Sequence, residues 1–192
     1  MDLDELKCMK IGVWKMQVEI RVPDDRIGVL IGKNGEVKKL IEEKTGCKIN
    51  VKGGVVEIIC EDAVGFLKAR DAINAIAHGF SPEVAMKLLE GFRVLEVIDL
   101  SDYISDNAMQ RVKGRIIGKG GRMRKNIEDM LGVDVSIYGK KVAIIGEPDA
   151  VNVAREAIMM LIDGSQHTTV QRYLENRRRD LKMRSMDWQD VI

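Results

Sequence analysis

The sequence predicts an α+β protein built from two tandem copies of one strand–helix–helix–strand–strand–helix unit, followed by a basic terminal helix. Three observations predict it. Residues 28–59 recur at 114–145 with a constant offset of 86 and 13 identities in 32 positions, the mark of a duplicated structural unit. Within each copy apolar residues alternate, then recur at helical spacing, then alternate again. The same kind of glycine-bounded pair separates the two helices each time: Gly32, Lys33, Asn34, Gly35 and Gly118, Lys119, Gly120, Gly121.

Each element has a local reason. Trp14, Met16, Val18, Ile20 and Val22 alternate with Lys15, Gln17, Glu19 and Arg21, as a half-buried strand does. Pro23, Asp24 and Asp25 stop that strand and cap a short helix at 26–31. Beyond the glycine turn, 36–45 resumes with Val37, Leu40 and Ile41 at helical spacing and closes at Gly46, the residue type suited to a left-handed C-cap. Strands at 47–51 and 55–60 flank a Gly53, Gly54 hairpin turn, and a long helix runs from 62 to about 78. The second copy repeats the order at 92–100, 111–117, 122–131, 133–138, 141–145 and 149–162. Its one departure is the segment 101–110, longer than the 23–25 connection and expected as a capped or solvated loop. Asp102, Asp106 and Asn107 there lack the ligand spacing of a calcium loop.

Between the copies, Ser81 as N-cap, Pro82 at the first helical position and Gly91 beyond the end describe a short, stiff connector helix. The segment 167–187 carries an apolar stripe of Val170, Tyr173, Leu174, Leu181 and Met183. It is expected to dock on the body with Arg172, Arg177, Arg178, Arg179, Lys182 and Arg184 outward. The expected organisation is a leading segment at 1–11, a first domain at 12–80, a connector at 81–91, a second domain at 92–164 and a terminal helix and tail at 165–192.

Composition removes several function classes. Net charge is +1, so attraction to nucleic acid must come from local patches. Aromatic residues make up 4%, too few for the stacking platforms of many single-strand binders. Cys8, Cys47 and Cys60 are too few for a disulfide framework or zinc site, and Cys47 and Cys60 read as small buried hydrophobes. The acidic start is no signal peptide and no apolar run is long enough for a bilayer, so a cytoplasmic protein without membrane partners is expected. His78 and His167 have no nucleophile or metal partner nearby in sequence, and surface or capping roles are expected for both. No catalytic residue, metal ligand or cofactor site is expected.

The glycine turns point to an anion. A helix N-terminus presents unbonded N–H groups and the positive end of its dipole. A turn of small residues beside a lysine lets a phosphate backbone approach closely. A nucleotide-triphosphate loop does not fit, because three residues separate Gly114 from Gly118 where that loop needs four. Asn34 and Gly120 also follow the lysines where a hydroxyl should bind magnesium. A plain tight turn between helices explains one copy readily and two copies with the same lysine poorly.

The order of elements, with Ile, Gly, Lys, any residue, Gly at each turn, resembles the eukaryotic-type (type I) KH domain, in two tandem copies covering most of the chain. The resemblance implies single-stranded RNA, about four nucleotides clamped over each GxxG turn. It places RNA contacts at Ile27, Gly28, Ile31, Gly32, Lys33, Asn34, Gly35, Lys38 and Lys39 in the first copy. In the second it places them at Arg111, Lys113, Gly114, Arg115, Ile117, Gly118, Lys119, Gly120, Gly121, Arg122, Arg124 and Lys125. Ile116 would join the groove floor, Ser136 would read base edges, and Lys48 and Asn50 are the matching candidates in the first copy. From 107 to 127 the second copy has seven basic and no acidic residues, whereas Asp24, Asp25 and Glu36 surround the first turn. Phosphate neutralisation dominates affinity, so the second copy is expected to bind more tightly.

Two KH copies alone, the longer connection in the second and the basic terminal helix together resemble the archaeal form of the partner-of-Nob-one family, also called Dim-two. The resemblance implies binding near the 3′ end of small-subunit ribosomal RNA during subunit maturation. Implied partners are the Nob-one endonuclease and the alpha subunit of initiation factor two. Eukaryotic members have a decayed first GxxG, whereas Gly32, Lys33, Asn34, Gly35 is intact here, so RNA contact and protein docking both stay open for the first copy. A general messenger-RNA regulator and a protein-interaction scaffold are the competing functions. The Arg177, Arg178, Arg179 run is either a solvated helix face or an extension of the RNA surface.

Overall fold

The computed structural model describes residues 15–189, with side chains through Met183. The leading segment, Cys8, Trp14 and the Arg184 side chain lie outside the described residues. The chain divides into two compact units, one ending at Arg70 and the other beginning at Asp71.

In the first unit, β1 (Met16–Arg21) leads into α1 (Asp24–Ile31), a 3-10 turn (Lys33–Gly35), α2 (Glu36–Thr45), β2 (Lys48–Lys52) and β3 (Val55–Cys60). The antiparallel sheet runs β1-β3-β2, so the last strand lies in the middle. Leu30, Ile41, Ile49, Val56 and Ile58 are fully buried. The Glu42 carboxylate accepts from the Ile49 amide at 2.8 Å and ties α2 to the sheet edge. Asp62 then caps α3 (Ala63–Ala77) by accepting from the Gly65 amide at 2.6 Å, and α3 continues across the boundary between the units.

Cys47 and Cys60 form a disulfide, which corrects the expectation of two unbridged thiols. The reason is register. Lys48 faces Ile59 across the hairpin, so the next pair outward is Cys47 and Cys60, with Cα atoms 4.5 Å apart.

The second unit holds α4 (Pro82–Met86) with a 3-10 turn (Lys87–Leu89), β4 (Val94–Asp99), a 3-10 turn (Leu100–Asp102) and α5 (Asp106–Ile117). A further 3-10 turn (Lys119–Gly121) leads to α6 (Arg122–Leu131), β5 (Asp134–Tyr138), β6 (Lys141–Gly146), α7 (Pro148–Ile162) and α8 (His167–Gln189). The sheet repeats the arrangement, β4-β6-β5, and the Glu128 carboxylate accepts from Val135 as Glu42 does from Ile49. The expected loop at 101–110 is mostly helical. Behind the N-cap Ser105, α5 starts at Asp106 and has 12 residues against 8 in α1. Asp106 pairs with Lys140 at 2.6 Å.

Val142 and Ile144 of β6 belong to the helix-side core, so Ala143 and Ile145 point to the opposite face, yet both are fully buried. The residue after α3 and the connector both reach this face. The Ser136 hydroxyl donates to the His78 carbonyl at 2.9 Å, and Lys87 reaches Asp134 at 2.7 Å. On the far side α8 packs on α6 and α7 through fully buried Val170 and Leu174.

Candidate nucleic-acid interface

Each helix before a turn ends on a glycine in a conformation almost closed to other residues: φ 72°, ψ 178° at Gly32 and φ 73°, ψ 172° at Gly118. Space forbids a side chain there as well. A Cβ on Gly32 would lie 2.5 Å from Val37 Cγ2, and one on Gly118 would lie 2.7 Å from Met123 Cβ. The first glycine of each turn is therefore required by folding. The later positions differ. Asn34 (φ 56°), Gly120 (φ 62°), Gly35 (φ 81°) and Gly121 (φ 78°) are left-handed, and a Cβ on any of the three glycines would meet nothing within 4 Å. Left-handed geometry accounts for small residues there, and nothing among the described residues fills the space a side chain would take at the three glycines. Lys33, Asn34, Lys119 and Gly120 are exposed at the tips.

The structure sorts the other expected residues into surface and scaffold. Around the second turn Arg111, Gly114, Arg122 and Lys125 are exposed, Lys113 is half-buried, and Ile117 is 37% exposed. Ile116 is fully buried and belongs to the core, not the groove floor, as does its counterpart Leu30. Arg124 lies 3.7 Å from Glu128, and Lys38 lies 3.9 Å from Glu42 at the matching place in the first copy. Gly28 and Lys39 are exposed, and Ile27 and Ile31 are half-buried. Lys48 and Asn50 are also exposed, and the Asn50 amide donates to Glu57 at 2.9 Å.

Two of the expected contact residues are engaged within the protein. The Arg115 side chain is turned toward the end of α7. Its Nε donates to the Leu161 carbonyl at 3.1 Å and Nη2 to the Ser165 carbonyl at 2.5 Å, capping the end of α7. His167 Nε2 lies 3.0 Å from the Arg115 carbonyl, the capping role expected of that histidine. Ser136 is the second. It points to the connector side of its sheet, with its hydroxyl bonded to His78. What the sequence did not reveal is the work of Glu42 and Glu128. Their signal was the shared identity at an offset of 86, for which no ligand role was needed.

The described residues contain no cluster of three His, Cys, Asp or Glu able to hold a metal ion, and no helix among them is long and apolar enough to cross a membrane.

The model for the eukaryotic-type KH domain (KH domain type I) matches residues 94–179, and a KH domain model matches residues 17–75. A KH domain-containing protein of Methanocaldococcus jannaschii is 46% identical over 90% of this chain and 78% of its own length. A chain in the crystal structure of an a/eIF2alpha–aDim2p–rRNA complex from Pyrococcus horikoshii is 46% identical, with a TM-score of 0.82 over 92% of this chain and 99% of that one. This chain belongs to the tandem KH proteins of the Dim2 and PNO1 family. A pre-rRNA-processing protein pno1 of Emericella nidulans is 30% identical over 64% of this chain, which spans about half of that relative's length (50%). The two GxxG turns lie within the matched segments, the first within 17–75 and the second within 94–179.

Proposed function

We propose that this KH protein is a non-enzymatic, single-stranded-RNA-binding adaptor of small ribosomal subunit biogenesis. It holds small-subunit ribosomal RNA near the 3′ end, mainly through the second GxxG turn. The observation that carries this reading is the exposed, unopposed basic surface of that turn: Lys119 and Gly120 at the tip, with Arg111, Arg122 and Lys125 around them. In the first domain, exposed Asp24, Asp25 and Glu36 dilute the equivalent field. The pre-rRNA-processing and rRNA-complex relatives support ribosomal RNA over messages as the target.

Mechanistically, the turn works by geometry and charge. Small residues let the sugar-phosphate chain lie against the backbone, and Lys119 neutralises a phosphate without reading a base. Sequence selection falls to base edges lying along the helices, where Ile117 offers an apolar surface.

The test is RNA affinity at fixed salt. Changing Lys119 and Gly120 together to aspartate is expected to abolish binding of a short ribosomal 3′-end RNA, and the matching changes at Lys33 and Asn34 to weaken it less. Unchanged affinity in the first variant rejects the site, and crosslinks spread over messages in cells would move the target to messenger RNA.

The acidic rim of the first turn favours a second reading for that domain alone, as a protein-docking surface. The Nob-one endonuclease and the alpha subunit of initiation factor two are the proposed partners, and the latter accompanies the Pyrococcus relative in its complex. Co-purification that survives RNase and is lost on reversing Asp24, Asp25 and Glu36 supports it.

A further inference from the structure

The run Arg177, Arg178, Arg179 is not one feature. Arg177 is scaffold: it lies 4.0 Å from Glu156 on α7 and 3.8 Å from Asp180, and its guanidinium sits over the Tyr173 ring at 5.5 Å. Tyr173 itself donates to Glu156. These contacts fix the rotation of α8. Val170 and Leu174 point inward and Tyr173 and Arg177 lean on α7. At 100° per residue, Arg178 and Lys182 then fall on the opposite flank, beside α6, and Arg172 and Arg179 point outward.

That flank meets a basic helix. In α6, Met123, Ile127 and Leu131 face the core and Glu128 reaches β5, which leaves Arg122 and Lys125 exposed on the outer side, with Asp129 one turn beyond Lys125. Arg172, Arg178 and Arg179 are exposed and make no ion pair with any described residue. The ridge also starts at the site already described. Arg115, in the last turn before Gly118, is bonded to Ser165 just ahead of α8, and His167 in the first turn of α8 contacts Arg115 in return. Arginines without an ion pair among the described residues, on a helix whose Tyr173 leans on α7, suit a chain of phosphates.

We propose that the α6–α8 ridge is a second phosphate track, on which single-stranded RNA leaving the second GxxG turn continues past Arg122 and Lys125 to Arg172, Arg178 and Arg179. This rests on the RNA-binding reading above and extends it: the second domain holds more RNA than the roughly four nucleotides of a KH clamp.

The test compares a ribosomal 3′-end RNA of about four nucleotides with one of about fourteen, extended in either direction. For the long RNA, replacing Arg172, Arg178 and Arg179 with alanine is expected to weaken binding about tenfold. It should also lower the slope of log affinity against log salt by about 2, near 0.7 for each phosphate released from a single strand. The short RNA is expected to bind the variant as it binds wild type. Lysine at the same three positions should restore the long-RNA affinity, because a track needs charge and not a guanidinium fork. If both RNAs bind the alanine variant as wild type does, the track is wrong while the GxxG site stands, and a loss confined to an acidic protein partner assigns the ridge to that protein instead. If neither RNA binds wild type, the underlying reading falls and the track with it.

Discussion

Gly118 and Met123 stand in such close contact that a Cβ on the glycine would lie 2.7 Å from the Cβ of the methionine. The clash is with the first turn of the next helix, which cannot retreat without opening the GxxG bend. Gly118→Ala should therefore cost about 3 kcal/mol or more from conformation and overpacking together. Gly121→Ala meets nothing within 4 Å and should cost about 1–2 kcal/mol through its positive φ alone. Denaturant unfolding of both variants checks the difference, and equal losses would mean that the bend is held by something other than this contact.

Arg115 gives a second contrast, with Lys119 four residues on. Removing its guanidinium takes the Arg115 donor from the Ser165 carbonyl and leaves the Leu161 carbonyl with the long 3.3 Å bond from the Gly164 amide at the junction of α7 and α8. Arg115→Ala should destabilise the fold by about 2 kcal/mol. At a temperature where the variant remains folded, its affinity for a short RNA should stay near wild type, whereas Lys119→Ala should show the reverse pattern. Measuring Tm and short-RNA affinity on both proteins decides it, and an RNA loss in Arg115→Ala without a Tm change would return this residue to the RNA surface.

Arg115 and the glycine turns show what one sequence carries. The repeat, the six-element order and the glycine turns were legible because they rest on periodicity and on backbone conformations open to few residues. Arg115 was not, since it sits in a basic run and nothing local marks one arginine as turned inward. The offset of 86 held a clue, for its counterpart Val29 is half-buried too. The start of α5 was missed because 101–110 was expected as a capped or solvated connection, although Ser105 and Asp106 are of the types that begin helices. The disulfide was legible in principle: a hairpin centred on Gly53 and Gly54 places Cys47 opposite Cys60, and cysteine count alone hid that pairing.

His78 sits half-buried where the connector crosses the second sheet. Burial chiefly, helped by Lys141 and opposed by Asp99, holds its pKa below the ordinary histidine value. The unfolded chain therefore binds the proton more readily. Stability present above the unfolded pKa of about 6.5 is lost as the pH falls through and below it. Thermal unfolding between about pH 7 and 5 should show a steeper fall in Tm for wild type than for His78→Gln. Parallel curves would show that the ring is free of this environment.

The Cys47–Cys60 bridge occupies the positions that Val133 and Gly146 hold in the second copy. There the Val133 side chain fills the space a Cβ on Gly146 would need, at 2.7 Å, so one large and one absent side chain replace the covalent link. The bridge closes a loop between residues 13 apart in sequence, and reducing it should cost about 3 kcal/mol. Two double variants separate the link from the packing. Cys47→Ser with Cys60→Ser should be unaffected by reductant and as weak as the reduced wild type or weaker, because two hydroxyls enter an apolar site. Cys47→Val with Cys60→Gly, which copies the second domain, should also ignore reductant yet be the more stable of the two. Guanidinium unfolding with and without reductant reads both. If the wild type unfolds at the same midpoint in either condition, the bridge contributes nothing and apolar packing alone holds the first hairpin closed.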